Sequence, residues 1–544
     1  MHENPSIRDQ LSGFPIFQMG IVCILSLSEP IAFASYLSYI YFMIKSFGIV
    51  KTDSDVSRYS GYLAAAYSFA QLFSIVQWSK ASDKFGRKPV LLLGCIGTAL
   101  SMILFGFSSN FYMAFISRML MGLLNGNVSI MRTVTGEIAV EKRHQGIAFS
   151  NLSVIWSLGK AVGYYMAGKL TNVDHFRDYN PDEKANVMGS IGSGGSGNKE
   201  THDIPFFVKY PFAFSNIVVS MLILVFALIG CLFLKETNIA FKGRRDRGLE
   251  LGNKVLNLIR AGHISIDETH ESLIAREHEP VTESGHDLEH EGSQRFVDEY
   301  EELEMTSRNS SFESDEDKQE KQDFVLKWPI TVRILCSCLH SFQYIVYTEF
   351  LPVLLASTVD AKSLKFPLHI RGGFGFKTND IGKLLSMTGV LNVIAAAILF
   401  PFINKHMNLL FAFRLGLFIL FWLFACLPLI IFTTSEYTGS KLDPSTPLLY
   451  LGSTLIAYAA SVTSPPIVLS IHRATPKRHR AVVNGYTITG GALAKFISPL
   501  LWGQVMTLMD HQGYGGIGWL LAGLSSIVNL SLTFFFKQSD ERED

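Results

Sequence analysis

Between two apolar runs the chain reads Ser79-Lys80-Ala81-Ser82-Asp83-Lys84-Phe85-Gly86-Arg87-Lys88. The runs on either side, 59–79 and 90–108, are each long enough to cross the ~30 Å hydrocarbon core of a bilayer. A short, strongly basic connection between two such runs is a cytoplasmic hairpin by the excess of Lys and Arg that such loops carry. Working outward with a window of about 20 residues gives spans 1 to 6 at 16–44, 59–79, 90–108, 111–134, 146–169 and 211–234. After a long polar break come spans 7 to 12 at 328–356, 380–403, 409–434, 447–471, 481–509 and 515–536. The fold class is therefore an all-α membrane protein with twelve transmembrane helices, six on each side of the break.

Composition agrees. Of 544 residues 48% are hydrophobic and only 17% charged, against about 25% charged in a typical soluble domain. A formal net charge of zero conceals a split, because 235–327 holds 13 Lys and Arg against 23 Asp and Glu. No basic domain or arm suits a nucleic acid, and six Cys are too sparse for a disulfide scaffold. All six (Cys23, Cys95, Cys231, Cys336, Cys338, Cys426) fall inside spans, as packing residues rather than a redox pair.

The domain plan is a cytoplasmic N-terminus at 1–15, a six-helix bundle at 16–234, an acidic and largely disordered linker at 235–327, a second bundle at 328–536 and a cytoplasmic tail at 537–544. Stable packing is expected to be missing over 245–322, except for one surface helix that the apolar spacing of Leu249 to Ile266 allows. His263, His270, His278, His286 and His290 lie among carboxylates without a fixed ligand spacing, so a solvated linker is favoured over a loose metal sensor. Ser310, Ser311 and Ser314 sit in an acidic context open to phosphorylation. Met1 to Gly13 lacks a signal-peptide pattern, so the first run is expected to remain a helix. Lys142 and Arg143 between spans 4 and 5, and Arg473, Lys477, Arg478 and Arg480 between spans 10 and 11, place the linker and both termini on the inner side, although 170–210 and 357–379 also hold bases.

The two sets of six contain an internal echo. At an offset of 335 Lys142-Arg143-His144 falls on Lys477-Arg478-His479, Lys160 on Lys495 and Gly168 on Gly503. The basic cluster and the lysine in spans 5 and 11 recur together, the pattern of a duplicated half.

The loop at 79–88 resembles the signature Gly-x-x-x-Asp-Arg-x-Gly-Arg-Lys of the major facilitator superfamily and lies where that family has it, with Ser79 at the first glycine. Physically, Asp83 is suited to accept from helix N-terminal amides and from Arg87, and Gly86 to the tight turn. Span 4 carries Arg118-x-x-x-Gly122-x-x-x-Gly126, similar to the family's Arg-x-x-Gln-Gly pattern, with Met121 where Gln is usual. In span 5, Ser157-Leu158-Gly159-Lys160-Ala161-Val162-Gly163 resembles the antiporters' Gly-Pro-x-x-Gly-Gly motif, Lys160 standing at the proline. Ser28-Glu29-Pro30-Ile31 and Lys235-Glu236-Thr237 are similar to the zinc-induced-facilitator-like branch of the tetracycline-resistance-type drug:proton antiporter group. The resemblance implies two pseudo-symmetric bundles around a central cavity, alternating access, a monomer in the lipid bilayer, and a vacuolar membrane ahead of a plasma membrane.

Depth adds an argument independent of family. At 1.5 Å per residue Glu29, Arg118, Lys160, Lys495 and His340 all lie about 18–21 Å from the inner face. Ionisable groups at that depth cost about 2.5–3.5 kcal/mol each on insertion scales and face a cavity or one another. Glu29 and Arg118 are the candidate proton-coupling pair, and Lys160, Lys495 and His340 candidate substrate-binding or gate residues. Glu349, about 31 Å into span 7, is expected at the outer mouth in solvent. The leading function is secondary transport of a small solute, as proton-coupled antiport. The alternatives are symport or facilitated uptake of an anionic nutrient, and a non-transporting sensor signalling through the linker. No nucleophile and base set, phosphate loop or metal-ligand spacing marks an enzyme, and the reading calls for no cofactor and no metal.

Overall fold

A backbone that crosses hydrocarbon must satisfy its own N–H and C=O groups, and a lone segment does so only as a helix. In the structure, a computed structural model, the residues described are 13–139, 142–171, 210–241, 245–254, 257, 328–359, 361–440, 442–475 and 479–536. All twelve runs are helical. Span 1 comprises Ile16–Ser26, Ser28–Ser35 and Ile40–Ser46, span 2 is Val56–Phe85, span 3 is Arg87–Gly106, and span 4 comprises Phe111–Leu124 and Asn127–Ile138. Spans 5 and 6 are Lys142–Leu170 and Ala213–Phe233. In the second half the spans are Trp328–Ala356, Thr378–His406, Leu409–Cys426, Ser445–Ala474, Arg480–His511 and Gly515–Leu532.

Two spans are broken for local reasons. Pro30 has no N–H to offer the carbonyl four residues back, and span 1 interrupts at Leu27, just before it. In span 4 the backbone of Asn125 is extended, with φ −109° and ψ 98°, and its side chain accepts the Asn127 amide at 3.1 Å.

The halves repeat their packing. Span 3 lies on span 6 as span 9 lies on span 12, and span 2 on span 4 as span 8 on span 10. Between halves, span 5 packs on span 8 and span 2 on span 11. Both seams are closed by the glycines that the offset of 335 relates. A Cβ on Gly168 would stand 2.8 Å from the Gly382 Cα and 2.9 Å from the Thr378 carbonyl oxygen, and one on Gly503 3.0 Å from the Ser57 carbonyl oxygen. Gly163 brings span 5 equally close to span 1, at 2.5 Å from the Ile31 carbonyl oxygen. Helices meet at backbone distance where the seam residue is small, the rule for association inside lipid. Large apolar side chains such as Leu100, Leu228, Phe418 and Trp422 face outward.

These seams join the outer ends of the halves. Among the described residues neither span 4 with span 11 nor span 5 with span 10 forms an extensive contact. Phe73 and Val76 of span 2 and Val482 and Tyr486 of span 11, toward the inner ends, are exposed. The seams between the halves are thus tightest toward the outer ends.

One expectation needs correction. Residues 247–254 are helical, and Gly248 and Gly252 lie against the backbone of Cys231 and Leu232 at the end of span 6, so packing continues past 245. Asp246 anchors it by pairing with Lys88 at 2.5 Å. The His and Ser clusters of the linker, Lys477, Arg478 and both termini lie outside the described residues.

Gly168→Leu is expected to disfavour the outer closure about 5- to 150-fold, the effect of the 1–3 kcal/mol typical of overpacking. An outer-facing, membrane-impermeant thiol reagent acting on Thr507→Cys in the same chain measures it, with faster labelling as the expected outcome.

Candidate functional site

The loop at 79–88 is held by a network of charges. Arg87 pairs with Asp83, donates to the Ser82 hydroxyl at 2.8 Å, and reaches Glu137 of span 4 at 3.0 Å. Gly86 has φ +103°, a conformation that side chains rarely adopt. The helix N-terminal amides expected to meet Asp83 are taken by Glu236 instead: its two oxygens accept from the Arg87 amide at 2.8 Å and the Lys88 amide at 3.0 Å. Thr237 joins the cluster by donating to Glu137 at 2.5 Å, so Lys235-Glu236-Thr237 is the inner clasp of this half. The Ser79 hydroxyl lies 2.8 Å from that of Ser129 and ties span 2 to span 4.

At mid-depth the expected pair is not in contact. Glu29 accepts from the Tyr67 hydroxyl at 3.1 Å and from Gln71 at 3.4 Å, and lies in the field of the cations Lys495 and Arg132. Arg118 is 1% exposed and stacks between two aromatic rings, 3.9 Å from the centre of Tyr36 and 5.0 Å from that of Tyr67. Its Nε donates to the Leu63 carbonyl at 3.4 Å and its Nη1 faces the Met121 sulfur at 3.5 Å, while Nη2 has no hydrogen-bond partner among the described residues. Tyr67 thus stands between Glu29 and Arg118, its hydroxyl on one and its ring on the other.

Glu349 is the larger surprise. Helix length alone carries it toward the outer mouth, yet it is 1% exposed and accepts from the Tyr36 hydroxyl at 2.6 Å. The cause is tertiary: the outer ends close over it. Lys160 also crosses between halves, donating to the Tyr344 hydroxyl at 2.9 Å. Lys495 is exposed and makes no hydrogen bond or ion pair among the described residues. His340 does not join this group, for its ring packs toward span 10 with Nε2 3.5 Å from the Thr463 hydroxyl. Tyr36, Tyr67, Gln71, Arg132 and Tyr344 were missed in the sequence, since tyrosines and glutamines carry no charge signal and Arg132 lies in the inner half of a span.

The outer closure is polar where it meets solvent. Asp53, between spans 1 and 2, accepts from Tyr41 at 2.6 Å and from Thr358 of the other half at 2.7 Å, and pairs with Lys45 at 2.9 Å. Asp55 pairs with Arg58 at 3.0 Å and lies 3.2 Å from His511. Burial pushes both carboxyls up, but for Asp53 the Tyr41 bond and Lys45, and for Asp55 His511 and Thr52, outweigh it and hold them below the usual 3.8. With lowered values, the stability these ties contribute is present at neutral pH and survives mild acid, and it is lost only as pH falls through the lowered values.

The family model for the Major Facilitator Superfamily matches residues 22–179. The major facilitator superfamily multidrug transporter mfsB of Aspergillus fumigatus is 28% identical over 99% of this chain and 86% of its own length. Zinc induced facilitator-like 1 of Arabidopsis thaliana is 23% identical over 92% of this chain and 86% of its own. Among solved structures, a bacterial homologue of the human lysosomal transporter Spinster, in an inward-facing and occupied conformation, superposes with a TM-score of 0.61 at 11% identity, covering 97% of this chain and 99% of that one. That likeness is one of fold.

Replacing Glu236 by Ala leaves the Arg87 and Lys88 amides without their acceptor. The expected cost is about 0.5–2 kcal/mol, as for loss of a helix cap, read as a lower thermal midpoint of the purified protein in detergent.

Proposed function

We propose that this chain, a transporter of the major facilitator superfamily, exchanges a small solute for protons across the membrane by rocking its two halves about the cavity between them. The supporting observation is the arrangement of the seams, packed at the outer ends and parted at the inner ends around a layer of ionisable groups. Antiport for export or sequestration is the reading adopted, with a single chain as the working unit in a vacuolar rather than a plasma membrane.

Glu29 is the proposed proton carrier. Its donors Tyr67 and Gln71 belong to its own half, whereas Lys495 belongs to the other. When the halves rock, the field of Lys495 on Glu29 changes, and so does the proton affinity of the carboxylate. Arg118 acts through the Tyr67 ring rather than by direct pairing. A second reading, symport or uptake of an anion, is favoured by one observation, the ammonium of Lys495, exposed and near Lys160 and without a hydrogen bond or ion pair among the described residues.

Flux in proteoliposomes with an imposed pH gradient tests the proposal, and solute movement indifferent to the gradient would sink antiport. Glu29→Gln is expected to remove dependence on the gradient and leave exchange at equal pH. Gradient-driven accumulation equal to that of the parent would make Glu29 architectural. Asp83→Asn should slow cycling several-fold with little change in thermal midpoint, because an exposed ion pair contributes only about 0–1 kcal/mol. Lys160→Ala and Lys495→Ala separate the two readings. Loss of affinity and charge selectivity supports an anion, and loss of turnover alone supports a gate.

A further inference from the structure

The bond from Tyr36 to Glu349 is a tie between halves, since Tyr36 belongs to span 1 and Glu349 to span 7. Its 2.6 Å length lies within the range of charge-assisted hydroxyl to carboxylate bonds, about 2.5–2.7 Å. The Tyr67 to Glu29 bond, by contrast, is 3.1 Å and lies within one half. Tyr36 is held from behind by the Arg118 guanidinium on its ring and by Phe105, 6.0 Å away edge to face. The titratable or charged groups that face Glu349 are Tyr36 from span 1, Arg118 from span 4 and Tyr164 from span 5. No base from its own half pairs with it among the described residues. Opening the outer side moves span 7 away from span 1, so this bond must break once per cycle.

We propose that Glu349 is a second proton-responsive carboxylate of the transporter, a gate residue whose ionised form, held by Tyr36 against Arg118, keeps the outer side closed. A proton from outer water, added to the Glu349 carboxylate, leaves Tyr36 with its own proton and turns a charged acceptor into a neutral one. The tie weakens and the outward-open form gains. Asp53 and Asp55 do not supply this response, since their ties persist in mild acid, and the third rim carboxylate, Asp510, which accepts from Ser54 at 2.5 Å across the same seam, is separated from Glu349 by the variants below. His511 lies 3.2 Å from Asp55 at the same rim and belongs to that set of ties. The inference builds on the rocking motion proposed above but not on the direction of coupled flux.

The test follows the outer gate itself. Thr507 of span 11, 5% exposed, donates to the Ser54 carbonyl at 3.0 Å across the seam, so Thr507→Cys reports opening. In full-length protein carrying it, labelling by a membrane-impermeant thiol reagent is compared at outer pH of about 7.5 and about 5. Rates are normalised to Leu442→Cys, an exposed outer position in a separate chain. Acid is expected to raise normalised labelling roughly five- to tenfold, the difference between a charge-assisted and a neutral hydrogen bond. Glu349→Gln should label fast at both pH values, Tyr36→Phe likewise, and Glu349→Asp should restore the response. An acid response unchanged in Glu349→Gln and Tyr36→Phe, or no response in the parent, overturns the proposal. Gradient-independent flux with the labelling response intact would instead overturn antiport and leave the gate assignment standing.

Discussion

A guanidinium buried at mid-membrane has to be compensated within the protein, because neither water nor lipid can do it. Arg118 is compensated by faces rather than by a direct ion pair. Two tyrosine rings sandwich it, each ring's hydroxyl donates to a carboxylate, and the two carboxylates belong to different halves. The charge is thereby shared across the molecule's central division, and neither half can move without altering what the other feels. One nitrogen of the group remains without a hydrogen-bond partner among the described residues. Such an unsatisfied donor is costly in a static core, about 1–3 kcal/mol, which accords with the proposal that this site rearranges.

The rest of the architecture is compatible with the rocking motion proposed for that division. Glycines at the two seams between halves permit backbone contact without interlocking side chains, and the two seams, span 5 on span 8 and span 2 on span 11, are related by the internal repeat. Polar ties at the outer rim add to the closure where water competes for every hydrogen bond. At the inner face a different device operates: Glu236 caps span 3, and Arg87 links that helix start to Glu137. This clasp stays inside one half, so it stiffens the half as a body instead of joining the two.

Much of this was legible beforehand. Twelve helices, the basic loop with its glycine turn and the relation of Gly168 to Gly503 could be read from hydropathy, spacing and self-similarity, because each depends on local or periodic properties. Counting residues along a helix also placed Glu29, Arg118, Lys160 and Lys495 at one depth. The same arithmetic failed for Glu349, since depth along an axis says nothing of what closes over the end. It failed for His340 too, because depth does not tell which face of a helix a residue occupies.

The sequence by itself determined which segments are long and apolar enough to cross the membrane as helices and which ionisable residues are too deep to be ordinary. Those follow from the energy of placing backbone and charge in hydrocarbon, a property of each segment taken alone. Partnership was decided only by the tertiary structure. Whether Arg118 meets Glu29 or stacks on Tyr67, whether Asp83 or Glu236 takes the helix amides, and whether Glu349 sees water or Tyr36 depend on contacts between segments far apart in the chain. Hydrogen bonds and ring faces act over a few ångströms, so their pairing is fixed only once packing has brought the spans together.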